Sequence, residues 1–536
     1  MHRHPQFRTR AARATVLTTS AALLISGCAS PSATDATDTV AAPQEDGVLK
    51  IGVLNDIGQV PDPDIYYSGN GLAITTNVYE GLVQYEPGNE TEAVIAPLLA
   101  ESWESNDDFT EWTFALREGV TFHDGTKFDA TAVGASFERR SNVNAGPAYM
   151  VSGVSEVRIV DDHTVTVVLN EPNSAFLDYL ASPYGPRMMS PTILKEQAGD
   201  DFAKSYLATA DAGTGPYVLS SAVVGEGYEL SYFDDYWQDL DPAFTTIDLD
   251  VYSAMSAMQL ELESGDLDIL FNPPTSSKQK YLDSDAVAGY ALPSFQVGVS
   301  YFNPNRELLA TPEARVALFN GIDWASLVAQ VTPVSSVVSE GYYPTGSLPV
   351  DLDQRELEFD PDGLASWIQT LPSGTSIQIG TGAGSEDGTQ MANIIAAQLQ
   401  AAGLPATVTE HQSSEVFSTF YEDPASSPDM YIATNTWPDS NSPYMHGHVF
   451  WDADGGLNHL QCSDPETSEL LAEALKTGEA EKYLAAAQAQ QKAMCAPVFA
   501  RGSDFVVAQT WIAGVEEAHS IAEPLTLDFA FLSIDK

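Results

Sequence analysis

The chain is short of three things: cysteine, positive charge and long apolar runs. It holds three cysteines in 536 residues, and 23 lysines and arginines against 75 aspartates and glutamates, for a formal net charge of −52 at pH 7. An acidic excess of that size repels polyanions and excludes nucleic acid as a partner. It favours neutral or cationic ligands only mildly, because an acidic surface also serves solubility. Enzyme signatures are missing as well. There is no G-x-S-x-G, no H-E-x-x-H and no Walker loop, so no catalytic residue and no cofactor is expected. What remains is ordinary globular material, 44% apolar and 10% aromatic, in a chain too long for one core and therefore expected to form several sub-domains.

The one apolar run lies at the N-terminus. Arg3, Arg8, Arg10 and Arg13 precede a short apolar stretch, 14–27, that ends in Ile25-Ser26-Gly27-Cys28. A stretch this short does not span a bilayer, which takes about 20 residues. It reads as a signal peptide, 1–27, ending in a sequence that resembles a bacterial lipobox. Cys28 is the expected lipidation site, and the Ser/Thr/Ala/Asp/Pro-rich 28–46 is a tether with nothing to bury. The protein is then exported and anchored to the outer face of the cytoplasmic membrane. In such a domain the remaining pair, Cys462 and Cys495, is expected to form a disulfide.

Residues 97–140 organise the rest. Trp112, Phe114 and Leu116 alternate with Thr113, Ala115 and Arg117, which predicts a strand with one buried face. His123-Asp124-Gly125-Thr126 is turn chemistry. Asp129 can cap a helix that carries Val133 and Phe137 on one face. The wording "LAESWE", "WTFALREGVTFHDGTKFDATAV" and "SFERR" resembles the signature block of the family 5 extracellular solute-binding proteins, the peptide-, oligopeptide- and nickel-binding receptors of ABC importers. "NVYEGLVQYE", "GTGPY" and "ARVALFNGID" extend the resemblance, although Trp324 stands where a basic residue usually follows Asp323.

The resemblance implies an α/β, two-lobed periplasmic-binding-protein fold. Lobe I would comprise 47–293, with an accessory sub-domain inserted at about 82–200. Lobe II would comprise 294–502, and 503–536 would return to lobe I. Two hinge crossovers, near 295 and 505, would join the lobes. Locally, Thr311-Pro312, Asp360-Pro361 and Asp464-Pro465 each announce a helix by a capping residue followed by proline at the first helical position. Residues 253–264 read as an amphipathic helix ended by Gly265.

The implied function is capture of a small peptide, or a related amine-bearing solute, by a monomer that delivers it to an ABC permease and its ATPase subunits. Trp437, Asp439 and Pro443 match the family pattern in which a Trp precedes an Asp that accepts the ligand's α-ammonium, with one residue missing between them. The same Asp also suits a turn, since 437–443 is rich in turn formers. Phe295, Tyr301, Tyr67 and Tyr444 are the further candidate ligand contacts. A nickel or metallophore receptor is the alternative, on His446 and His448, but two histidines alternating along an extended segment point to opposite faces. The loop with Gly380, Gly382 and Gly384 departs from a dinucleotide fingerprint at Ser385 and reads as a plain βα connection. Lobe II is poor in cations for a ligand carboxylate, with Arg355 alone between Arg315 and Lys476.

Overall fold

The computed structural model describes residues 47–349 and 351–535. The signal segment, Cys28 and the tether expected from the sequence lie outside them. Among the described residues no helix is long and apolar enough to cross a membrane.

One eleven-stranded sheet runs through the molecule. Its order is Ala406–His411, Ile377–Gly382, Met430–Thr436, Val287–Phe302, Val498–Gln509, Ile269–Phe271, Val48–Leu54, Thr246–Tyr252, Gly227–Tyr232 and Tyr217–Val223, with Ser336–Val338 beside Val498–Gln509. Each half contains a parallel set, 48–54 with 246–252 and 269–271, and 377–382 with 406–411 and 430–436. Parallel strands need crossovers: the helix Glu386–Ala401 joins the neighbours 377–382 and 406–411, and Met255–Ser264 joins 246–252 to 269–271 on either side of 48–54.

The halves share the two longest strands. Val287–Phe302 and Val498–Gln509 pair antiparallel from Val287 opposite Gln509 to Val299 opposite Val498, with breaks in register between Pro293 and Val297 and between Gly298 and Val299. Pro293 brings no N–H to the ladder.

A separate antiparallel sheet, Ala100–Ser105, Glu111–Leu116, Thr164–Leu169 and Val154–Asp161, carries the signature block. Trp112, Phe114 and Leu116 are buried. Asp129 accepts from Thr131 N at 2.8 Å and caps the helix Ala130–Val143. The block's other residues fasten it to distant segments. His123 Nδ1 pairs with Asp211, and its Nε2 lies 2.9 Å from the Gly215 carbonyl. Burial opposes charge on that imidazole, but the Asp211 carboxylate prevails and raises its pKa. Gly213 of the same loop packs so tightly on 78–79 that a Cβ would fall 2.0 Å from the Val78 oxygen.

At the end of that helix Arg139 and Arg140 are buried with Asp62 and Asp64. Arg139 Nη1 and Arg140 Nε each lie 2.7 Å from an Asp64 oxygen, and Arg139 also pairs with Asp62. Arg140 then donates to the carbonyls of Pro63, Tyr184 and Gly185 at 2.7–2.9 Å.

Thr311, Asp360 and Asp464 cap helices with proline at the first turn. Ser442-Pro443 does the same, so 443–451 is the helix Pro443–Trp451 and not the extended segment read from the sequence. Cys462 and Cys495 are bonded. The bond encloses the helical pair Pro465–Thr477 and Ala480–Ala493.

Candidate functional site

Between the two sides of the shared strand pair lies a cavity of about 420 Å³. The first half contributes Val53, Leu54, Met255, Met258, Phe271 and Lys278. The second half contributes Ser385, Asp387, Thr434 and Trp437, and Gln296 sits in the register break. The walls are apolar with a few polar groups, the usual make-up of a small-molecule site. Thr275 Oγ1 donates to Asp387 Oδ2 at 2.8 Å across the gap. Gly69 packs against Leu525 and Trp437, where a Cβ would stand 2.8 Å from Leu525 Cδ1 and 3.3 Å from the indole.

Asp439 lies beyond Trp437 and does not line this cavity. Its Oδ2 accepts from Tyr67 Oη at 2.5 Å and from Tyr149 Oη, while its carbonyl accepts from Ser182 Oγ. Burial raises the carboxyl's pKa, and the two tyrosine hydroxyls hold it back. Three residues near the N-terminal signature block thus grip one residue of the other half. Asp439 Oδ1 takes no hydrogen bond among the described residues.

The remaining candidates divide. Tyr67 is 39% exposed and touches Asp439, and Trp437 lines the cavity. Phe295 and Tyr301 do not line it: they are buried core residues, packed on His446 and on Tyr431 and His459 respectively. Tyr444 stacks on His448, away from the cavity. None of these three lines the cavity. Aromatic side chains on buried strands pack inward by default.

The two histidines of the metal alternative do not converge, and His448 groups instead with Asp452 and Asp454, with ligand atoms within 4.8 Å of one another. His446 is buried, with Nε2 3.1 Å from Asn441 Oδ1, and burial holds its pKa well below the usual range. His448 pairs with Asp452 at 3.0 Å near Asp454. Two positions apart on a helix, the histidines face different ways and share no site.

A second, smaller cavity of about 60 Å³ is lined by Glu80, Arg187, Tyr236, Glu523 and Asp528. Burial pushes Glu80 up to about 7 and Asp528 to about 6; burial and the Asp528 charge push Glu523 to about 8. The folded state therefore keeps protons that the unfolded chain has lost. Their contribution to stability is present at low pH and disappears as pH rises through about 6–8. The urea midpoint is expected to fall from pH 5 to 8.5, with a shallower fall in Glu523→Gln. An unchanged slope in that variant would assign the dependence elsewhere.

A model of the bacterial extracellular solute-binding proteins, family 5, matches residues 94–457. The chain belongs to that family. This solute-binding protein is 28% identical over 436 residues to the probable D,D-dipeptide-binding periplasmic protein DdpA of Escherichia coli K12, covering 80% of this chain and 83% of the relative. It is 25% identical over 433 residues to the glutathione-binding protein GsiB of the same strain, covering 76% and 79%. In fold it is similar to DppA of Helicobacter pylori in complex with the peptide STSA, with TM-score 0.75, 20% identity and 92% and 98% of the two chains covered. It is likewise similar to NikA of Brucella suis in complex with Fe(III)-EDTA, with TM-score 0.78, 20% identity and 91% and 100% covered.

Two residues of the solute-binding protein escaped the sequence reading. Tyr149 is one of the two hydroxyls on Asp439, and nothing in "NAGPAYMV" marks it. Lys278 is the cation of the cavity. It lies on the first-half helix Thr275–Leu282, and no motif in that stretch marks a lysine as facing a cavity.

Proposed function

We propose that this solute-binding protein captures a short peptide between its two halves and hands it, unaltered, to an ABC permease with its ATPase subunits. It would do so as a monomer held outside the cytoplasmic membrane by a lipid on Cys28. The observation that carries the reading is the cavity at the shared strand pair, of a size and lining suited to a small amphiphilic solute. DdpA, GsiB and DppA carry peptides or peptide-like solutes in their names, which supports the ligand class. The halves would close about the strands Val287–Phe302 and Val498–Gln509, and a ligand touching both would stabilise the closed form. In this reading lobe I comprises 47–293 and 503–536, and lobe II comprises 294–502.

Asp439 is assigned to the ligand's α-ammonium. Tyrosine hydroxyls hold one oxygen, the other is free among the described residues, and a carboxylate withdrawn from water gains most from a cationic donor. An N-terminal residue reaching past Trp437 would meet it. Titration calorimetry with free and N-acetylated di- and tripeptides tests this. Free peptides should bind at least about tenfold tighter, and Asp439→Asn should erase the difference. Equal binding of the two forms to the unmodified protein would remove Asp439 from that role. Failure of any peptide to bind would end the peptide reading.

A further inference from the structure

Lys278 is 4% exposed and makes neither a hydrogen bond nor an ion pair among the described residues. Its Nζ lies 5.5 Å from the Phe505 ring centroid. The carboxylates nearest in charge are Asp387 and Asp504, and both are engaged. Asp387 accepts from Thr275. Asp504 accepts from Gln296 Nε2 and from Leu525 N, with His519 Nε2 at 3.6 Å. An ammonium has three donors and loses several kcal/mol of hydration when buried. Burial accordingly lowers its pKa, against the pull of the two carboxylates. A fold that only needed to fill this space would use an apolar side chain. On its own side of the cavity the apolar neighbours are Leu54, Met255, Met258 and Phe271, while the carboxylates of the lining, Glu386 and Asp387, belong to the opposite side.

We propose that Lys278 is the anchor for the ligand's carboxylate, so that the cavity selects a short peptide or peptide-like acid with an apolar residue at its C-terminal end. The carboxylate pairs with Nζ, and the neighbouring side chain packs on Met255, Met258 and Phe271. This rests on reading the cavity as the ligand site. It supplies the positive charge that the second half lacks, from the opposite wall.

The test uses the full-length protein with Ala-Leu and Ala-Ala-Leu as free acids and as C-terminal amides. The unmodified protein should bind the acids at least about tenfold tighter than the amides, as expected for a charge-assisted hydrogen bond. Lys278→Gln should bind both forms within about threefold of each other, while Lys278→Arg keeps a preference for the acid. Equal binding of acid and amide by the unmodified protein overturns the anchor while leaving the peptide reading intact. If neither peptide binds, the peptide reading falls. The anchor is then decided by 4-methylpentanoate, which should raise the thermal midpoint of the unmodified protein but not that of Lys278→Met. No shift with that acid overturns it. Without ligand, Lys278→Met should melt no lower than the unmodified protein, because it removes a buried, unpaired charge. A lower midpoint would make Lys278 structural and likewise overturn the anchor.

Discussion

Arg140→Ala should destabilise the protein by about 3–5 kcal/mol, read as a drop in urea midpoint at an unchanged slope. The guanidinium is fully buried, and it holds Asp64 and three backbone carbonyls at once. Removing it leaves those acceptors in a place that water does not reach, and each orphaned group costs about 1–3 kcal/mol. The comparison is Arg158→Ala. Arg158 also faces two carboxylates, Glu111 and Glu156, but its side chain is 45% exposed, so its loss should cost less than about 1 kcal/mol. Equal effects of the two substitutions would mean that the buried cluster is no more than a surface pair in energetic terms.

The second large effect concerns the disulfide. Cys462 and Cys495 are 33 residues apart, and closing a loop of that length restricts the unfolded chain by roughly 3–4 kcal/mol in the chain-entropy account. The double variant Cys462→Ser/Cys495→Ser should lose about that much stability. The effect should concentrate in the helical pair 465–493 and in the start of the strand Val498–Gln509, which follows Cys495 almost directly. Hydrogen exchange would show protection falling there first. An unchanged urea midpoint, or a loss spread evenly over both halves, would count against this account.

Local chemistry carried most of the fold in the sequence, and the site hardly at all. Three cap-and-proline pairs marked three helix starts, since each needs only neighbouring residues to be satisfied. A fourth, Ser442-Pro443, was passed over because the surrounding polar residues read as a loop, and an extended segment was inferred where a helix stands. The signature block was legible as a strand, turn and helix. What it does was not: Arg139, Arg140 and His123 act on Asp62, Asp64 and Asp211, 75 or more residues away, and no local pattern announces such partners. Of the ligand candidates, Trp437 lines the cavity and Asp439 meets Tyr67 outside it, while Phe295, Tyr301 and Tyr444 face the core or a neighbouring helix. Alternation along a strand gives two faces, and only the packing of the other half decides which one a ligand meets.

The break between Pro293 and Val297 gives the ladder between the long strands a mechanical character of its own. Ser294, Phe295 and Gln296 have no partner on Val498–Gln509, and Gly502 leaves Gln296 room to lie close, a Cβ falling 3.0 Å from that of Gln296. A second shift falls between Gly298 and Val299, and Ser336–Val338 braces 500–502 from the other side, so the ladder is interrupted on one flank of Val498–Gln509 and reinforced on the other. Gln296 belongs to that unpaired stretch and also to the cavity wall, so a molecule filling the cavity would touch the interrupted part of the ladder directly.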